Sequence, residues 1–139
     1  MLGGVIVADS NPPPAAILWL ARLALASPFL LSGITKATDF AGATGEVRGL
    51  TGLEPAPAFA AAVIAVQLGG SALLLAKGRA VWLGAAILAA FTLAATFAAH
   101  DFWNKPATTA LRDATTFFEH LGLIAGLGLA ALVIRARPA

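Results

Sequence analysis

The sequence predicts an all-α integral membrane protein, a four-helix bundle of antiparallel transmembrane helices with both termini on the same side. Three observations predict it. Of the 139 residues, 59% are hydrophobic and only 12% are charged, about half the charged share of a soluble domain. The mean hydropathy is +0.85. Four apolar runs approach the roughly twenty residues that carry a helix across about 30 Å of hydrocarbon. Membrane lipid is therefore the first expected partner. The length suits one membrane domain over residues 1–139 and leaves no room for a separate soluble one.

The chain opens with a stretch that does not read as a signal peptide. Residues 1–14 contain no Lys or Arg, and their apolar run ends in Asp9-Ser10-Asn11 and Pro12-Pro13-Pro14. A short tail is expected there. The first span is predicted at about 15–34, opened by the proline triplet and closed by Gly33 and Lys36. Pro28 lies inside it and should kink it, freeing a carbonyl that neighbouring helices must cover. Residues 35–56 are a polar connection in which 39–50 can form a short interfacial helix, against the cost of its glycines. The second span is predicted at about 57–76. Lys77-Gly78-Arg79 is a turn so short that the spans on either side must be antiparallel neighbours. The third span, about 80–99, ends in His100-Asp101-Phe102-Trp103, with an aromatic pair at headgroup level. A second polar loop, 104–114, leads to the fourth span at about 117–134. The spacing Gly122-x-x-x-Gly126 fits a packing face, and Gly69, Gly70, Gly84 and Gly128 also allow close backbone approach.

Charge sets the expected orientation. The net charge is only +2, and the basic residues stand singly at segment ends, which is no footprint for nucleic acid. Lys77, Arg79, Arg135 and Arg137 abut helix ends in very short segments, whereas Lys36, Arg48, Lys105 and Arg112 are spread through longer, partly acidic loops. Both termini and the Lys77–Arg79 turn are therefore expected in the cytoplasm. Cysteine and tyrosine are absent. Any redox role must be borrowed from a bound cofactor or a partner.

Two polar groupings interrupt this apolar pattern. Arg22 lies roughly 10 Å in from the cytoplasmic edge, and Gln67 roughly 15 Å from the outer edge of a core about 30 Å thick. At similar depth the two can meet as an inner polar contact. The alternative is that Arg22 snorkels to the interface while Gln67 bonds a carbonyl. At the outer end, Lys36, His100, Glu119 and His120 gather at one membrane face with Trp103 close by. Such a rim can donate hydrogen bonds to a quinone head or relay protons, with Lys36 pairing Glu119. It can equally be a plain ion-pair network favoured by the helix dipole. Two His with Asp and Glu can ligate a divalent metal, or two His a haem. However, no pair has ligand spacing on one helix face, and the adjacent Glu119 and His120 point about 100° apart. No metal is expected.

Arg22, then Pro28-Phe29-Leu30-Leu31-Ser32-Gly33-Ile34-Thr35-Lys36, then Gln67-Leu68-Gly69-Gly70 through Leu73-Leu74-Leu75 to Gly78-Arg79, resemble the DoxX family. Ala99-His100-Asp101-Phe102-Trp103 and Phe117-Phe118-Glu119-His120-Leu121-Gly122-Leu123 extend the likeness over about 17–134. The resemblance implies a bacterial inner-membrane protein of four helices. Some members are described as small membrane subunits of quinone-linked oxidoreductases, others as partners in membrane complexes for oxidative-stress defence. Family members usually carry Glu where this chain has Gln67, so a neutral Arg–Glu pair is replaced by an uncompensated Arg22. The expected function is thus a membrane subunit of an oxidoreductase-type assembly that contacts quinone through the outer rim. The expected partners are another protein or further copies of this chain. The rival readings are a non-catalytic accessory subunit and a small-molecule or lipid carrier using Arg22. A chain with two His and no Cys is a poor candidate for an autonomous enzyme.

Overall fold

A computed structural model describes residues 14–135, with side chains to residue 133. Residues 1–13 of the expected tail and Arg137 of the orientation signal lie outside the described residues. The elements are α1 (Ala15–Thr38), α2 (Phe40–Thr51), α3 (Ala56–Leu75), α4 (Arg79–Ala99), a 3₁₀ turn (Phe102–Asn104) and α5 (Ala107–Arg135). Among the described residues there is no strand. α1, α3, α4 and α5 are long and apolar enough to cross a membrane. The protein is an all-α, multi-pass membrane protein.

Two spans are longer than hydropathy suggests, and polar side chains in the extra turns find partners within the helix or on a neighbouring one. α1 continues past Ile34 to Thr38, whose hydroxyl donates back to the carbonyls of Ile34 and Thr35. α5 begins at Ala107, ten residues before the expected start, so most of the loop predicted over 104–114 is helix. Pro106 accepts the N–H groups of Thr109 and Ala110 and starts it. Thr115 bonds the Leu111 carbonyl, and Asp113 is buried against α4. Polarity in a first turn thus marks a helix that leaves the hydrocarbon, not one that stops.

The interfacial helix α2 does form. Asp39 caps it by accepting the Gly42 N–H at 2.9 Å. Gly52, at φ 66°, ends it in the left-handed conformation that glycine adopts without strain. Its buried residues Ala43 and Val47 stand four apart and pack on Ala56 and Ala60 of α3. This apolar contact outweighs the helix's glycine content. Glu54 accepts from Arg48 and from the Ala56 N–H, and the Arg48 guanidinium holds its carboxyl below the usual carboxylate range.

Pro28 removes the N–H that would bond the Ala24 carbonyl. That carbonyl is covered by Ser27 of the same helix, whose hydroxyl donates to it at 2.8 Å, not by a neighbouring helix. The proline therefore leaves no unpaired Ala24 carbonyl oxygen, and α1 runs as one helix through it.

The spanning helices stand in sequence order: α1 beside α3, α3 beside α4, α4 beside α5, while α1 and α5 meet only sparsely. Their shared core is Ala26, Phe29, Leu74, Val81, Ala85, Leu88, Leu127 and Ala131. The closest approach is between α3 and α4, where a Cβ on Gly84 would lie 2.7 Å from the Gly70 carbonyl oxygen. Gly69, Gly122 and Gly128 face open space instead, and Gly126 meets only the Leu25 side chain. The Gly122-x-x-x-Gly126 spacing is not a packing face.

Candidate functional site

Four-residue steps bring one polar stripe from each helix to a common cavity. On α1 the stripe is Pro28, Ser32 and Lys36, on α3 Val63 and Gln67, and on α4 Thr92 and, at its C-cap, His100. α5 adds His120 and Leu123, and α2 lays Val47, Leu50 and Thr51 across them. The cavity is partly open, its volume is about 490 Å³ and its walls are mostly apolar, with Phe29 and Phe91 among them. Those rings pack edge to face at 6.5 Å. A ring-sized head with polar substituents fits such a space.

Lys36 stands in this wall but does not reach Glu119. Its ammonium pairs with Glu46 of α2 at 3.0 Å and donates to Ser32 Oγ at 3.2 Å. The pair joins α2 to α1 beside the cavity. Glu119 is exposed and, among the described residues, makes no salt bridge. The reason is rotational: His120 takes the inward position, and its neighbour points about 100° away.

His100 and His120 do meet, with ring centroids 5.1 Å apart at 72°. Each ring is held from behind by a group that the sequence reading did not pair with it. His100 Nδ1 lies 3.3 Å from Asp113 Oδ1, and His120 Nδ1 lies 2.8 Å from Thr96 Oγ1. Asp113 is 8% exposed and Thr96 fully buried. Signals for both exist in the sequence. Thr92, Thr96 and His100 form a four-residue ladder on α4, and Asp113, Phe117 and His120 fall at i, i+4, i+7, one helical face. Among the described residues, no group of three or more His, Cys, Asp or Glu is placed to hold a metal ion.

The expected Arg22–Gln67 contact does not form. Arg22 Nη1 donates to the Ala76 carbonyl at 2.8 Å and the Leu74 carbonyl at 3.4 Å. These lie at the C-terminal end of α3, where unpaired carbonyls and the helix dipole favour a cation. The long side chain reaches toward the helix end rather than across at constant depth. Gln67, 5% exposed, donates instead through Nε2 to Ser32 Oγ at 3.1 Å, and its Oε1 is buried without a partner. Arg22→Met is expected to lower stability by about 2 kcal/mol, the scale of hydrogen bonds from a charged donor. Thermal unfolding in detergent measures it, and an unchanged midpoint would show that those two carbonyls need no protein donor.

Trp103 does not line the cavity. It stacks with Phe97, Phe102 and Phe117 at centroid distances of 6.3, 5.1 and 5.8 Å. This aromatic group wraps the 3₁₀ turn and suits headgroup anchoring. Of the residues expected at a ligand, the cavity thus gathers Lys36, Gln67, His100 and His120, and leaves Arg22, Trp103 and Glu119 outside.

A family model described as DoxX matches residues 17–101, from α1 to the end of α4. No curated protein and no solved structure matches the chain.

Proposed function

The chain belongs to the DoxX family, and from that premise we propose that it is a membrane subunit of an oxidoreductase-type assembly whose cavity receives a quinone head. The observation that carries the reading is the cavity of about 490 Å³ between the helices, apolar in its walls and polar at a few fixed points. The buried, unpaired end of Gln67 supports a polar occupant, because such a group is otherwise costly in lipid. A quinone, when bound, supplies reversible two-electron, two-proton chemistry that no side chain of this Cys-free and Tyr-free sequence offers. The chain's own residues bind and orient. Phe29, Phe91 and Leu123 hold the ring, Gln67 and the His pair meet its oxygens, and α2 keeps water from the head.

In this reading the chain is a single membrane domain of the bacterial cytoplasmic membrane, with both termini in the cytoplasm. The Lys77–Arg79 turn supports that orientation, and it turns the His100–His120 end of the bundle to the periplasmic side. Electrons come from or pass to a protein partner. Purification in mild detergent, followed by extraction of quinone and identification of bound proteins, tests the proposal. About one quinone per chain is expected, lost when His100 and His120 are both replaced by phenylalanine. A preparation with neither quinone nor partner overturns it. If quinone is absent but a partner complex depends on the chain, the accessory-subunit reading takes its place.

A further inference from the structure

The hydrogen-bond protons around His100 and His120 can be assigned one by one. Thr96 Oγ1 lies 2.6 Å from the Thr92 carbonyl oxygen. A carbonyl carries no proton, so at that distance the Thr96 hydroxyl must donate to it. Thr92 in turn donates to the Leu88 carbonyl at 2.7 Å. The one proton of Thr96 is therefore spent, and its contact with His120 Nδ1 has the imidazole N–H as donor. At the other ring, the Asp113 carboxylate can only accept, so His100 Nδ1 is also the protonated nitrogen.

In its neutral form each imidazole consequently keeps an Nε2 lone pair. Among the described residues neither Nε2 has a hydrogen-bond partner, and both rings line the cavity. In that tautomer Nε2 is an acceptor, whereas the sequence suggested histidines that donate to a ligand. Quinone carbonyls are acceptors too and cannot satisfy them, whereas hydroxyl groups can.

We infer that the His100–His120 wall recognises a ligand bearing hydrogen-bond donors, so that the cavity binds the dihydroxy, reduced head of a quinone in preference to the oxidised one. The inference rests on the quinone reading of the cavity and adds which redox form is favoured. Its basis is a pair of rings oriented by side chains behind them, His120 by the Thr96 hydroxyl oxygen and His100 by the Asp113 carboxylate.

The test uses the full chain in lipid nanodiscs, without oxygen, and three short-tailed probes of one shape: a hydroquinone, its quinone, and the hydroquinone's dimethyl ether. Equilibrium binding is read from quenching of tryptophan fluorescence. The hydroquinone is expected to bind at least about tenfold more tightly than the quinone, since leaving a buried polar group unpaired costs on that scale. The dimethyl ether, which has no donors, should bind no better than the quinone. Thr96→Val removes the acceptor that fixes the His120 tautomer and should narrow the hydroquinone-to-quinone ratio to within about threefold. Thr96→Ser should retain the full ratio.

A quinone that binds as tightly as the hydroquinone overturns the inference while leaving the proposed function standing. An ether that matches the hydroquinone overturns the donor argument, and an unchanged ratio in Thr96→Val overturns the tautomer assignment. If none of the three probes binds, both this inference and the quinone reading fall.

Discussion

Replacing Gly84 with valine is expected to abolish the folded bundle, so that the variant elutes as aggregate in gel filtration under detergent while the wild type elutes as a single species. The Cβ alone would meet the Gly70 carbonyl oxygen at 2.7 Å and the Leu73 carbonyl carbon at 2.8 Å, with the Leu74 N–H close by. All three are backbone atoms of α3. A clashing side chain can rotate away, and overpacking of that kind costs about 1–3 kcal/mol. A helix backbone cannot, so α3 and α4 would have to separate along their length. The turn at Gly78, φ 60°, joins them too tightly for one to slide past the other. In lipid the loss is worse, because helix association relies on close van der Waals packing rather than on exclusion of water. Gly122→Val is the internal control. Its Cβ would meet nothing within 4 Å, and the variant should elute as the wild type does. If Gly84→Val melts within two or three degrees of the wild type, the α3–α4 contact does not hold the bundle.

Gln67→Leu is expected to separate stability from binding. One end of the buried amide bonds Ser32 and the other has no partner. A hydrogen bond contributes about 1 kcal/mol net, while an unpaired buried polar atom costs about 1–3 kcal/mol. Removing both should leave the ligand-free protein as stable as before, or raise its unfolding midpoint by a few degrees. Quinone retained through purification should fall at least about tenfold, the scale of one lost hydrogen bond to a buried group. A lower midpoint with unchanged quinone content would place Gln67 in the scaffold and outside the binding surface.

How far the sequence was legible differs by element. The spans predicted at 57–76 and 80–99 match α3 and α4 almost to the residue, because each charge-free run is bounded, by proline before the first, by Lys77-Gly78-Arg79 between them and by His100-Asp101 after the second. The ends of α1 and α5 were hidden because Thr38, Arg112 and Asp113 look like loop residues. Thr38 bonds within its own helix and Asp113 bonds His100 at the C-cap of α4, while Arg112 is exposed; such placements depend on neighbours that composition does not name. The meeting of His100 and His120 follows from an antiparallel pair alone. Their partners Thr96 and Asp113 required knowing which way each helix is turned about its axis. The same gap explains Arg22. Depth arithmetic gives a height in the membrane but no azimuth, and a long side chain does not stay at the height of its Cα. Matching heights therefore suggested a contact with Gln67 that the rotation of α1 and α3 does not provide.

The order of the spanning helices has a consequence for biogenesis. Each spanning helix after α1 has an extensive contact with the spanning helix before it in the chain: α3 with α1, α4 with α3, α5 with α4. Only the sparse meeting of α1 and α5 joins the first span to the last. A chain built this way can assemble as it leaves the ribosome, since every new span finds a main neighbour already inserted. The His wall is completed last, when α5 brings His120 and Asp113 to meet Thr96 and His100. Synthesis of the final helix is therefore the step that closes the cavity's His wall.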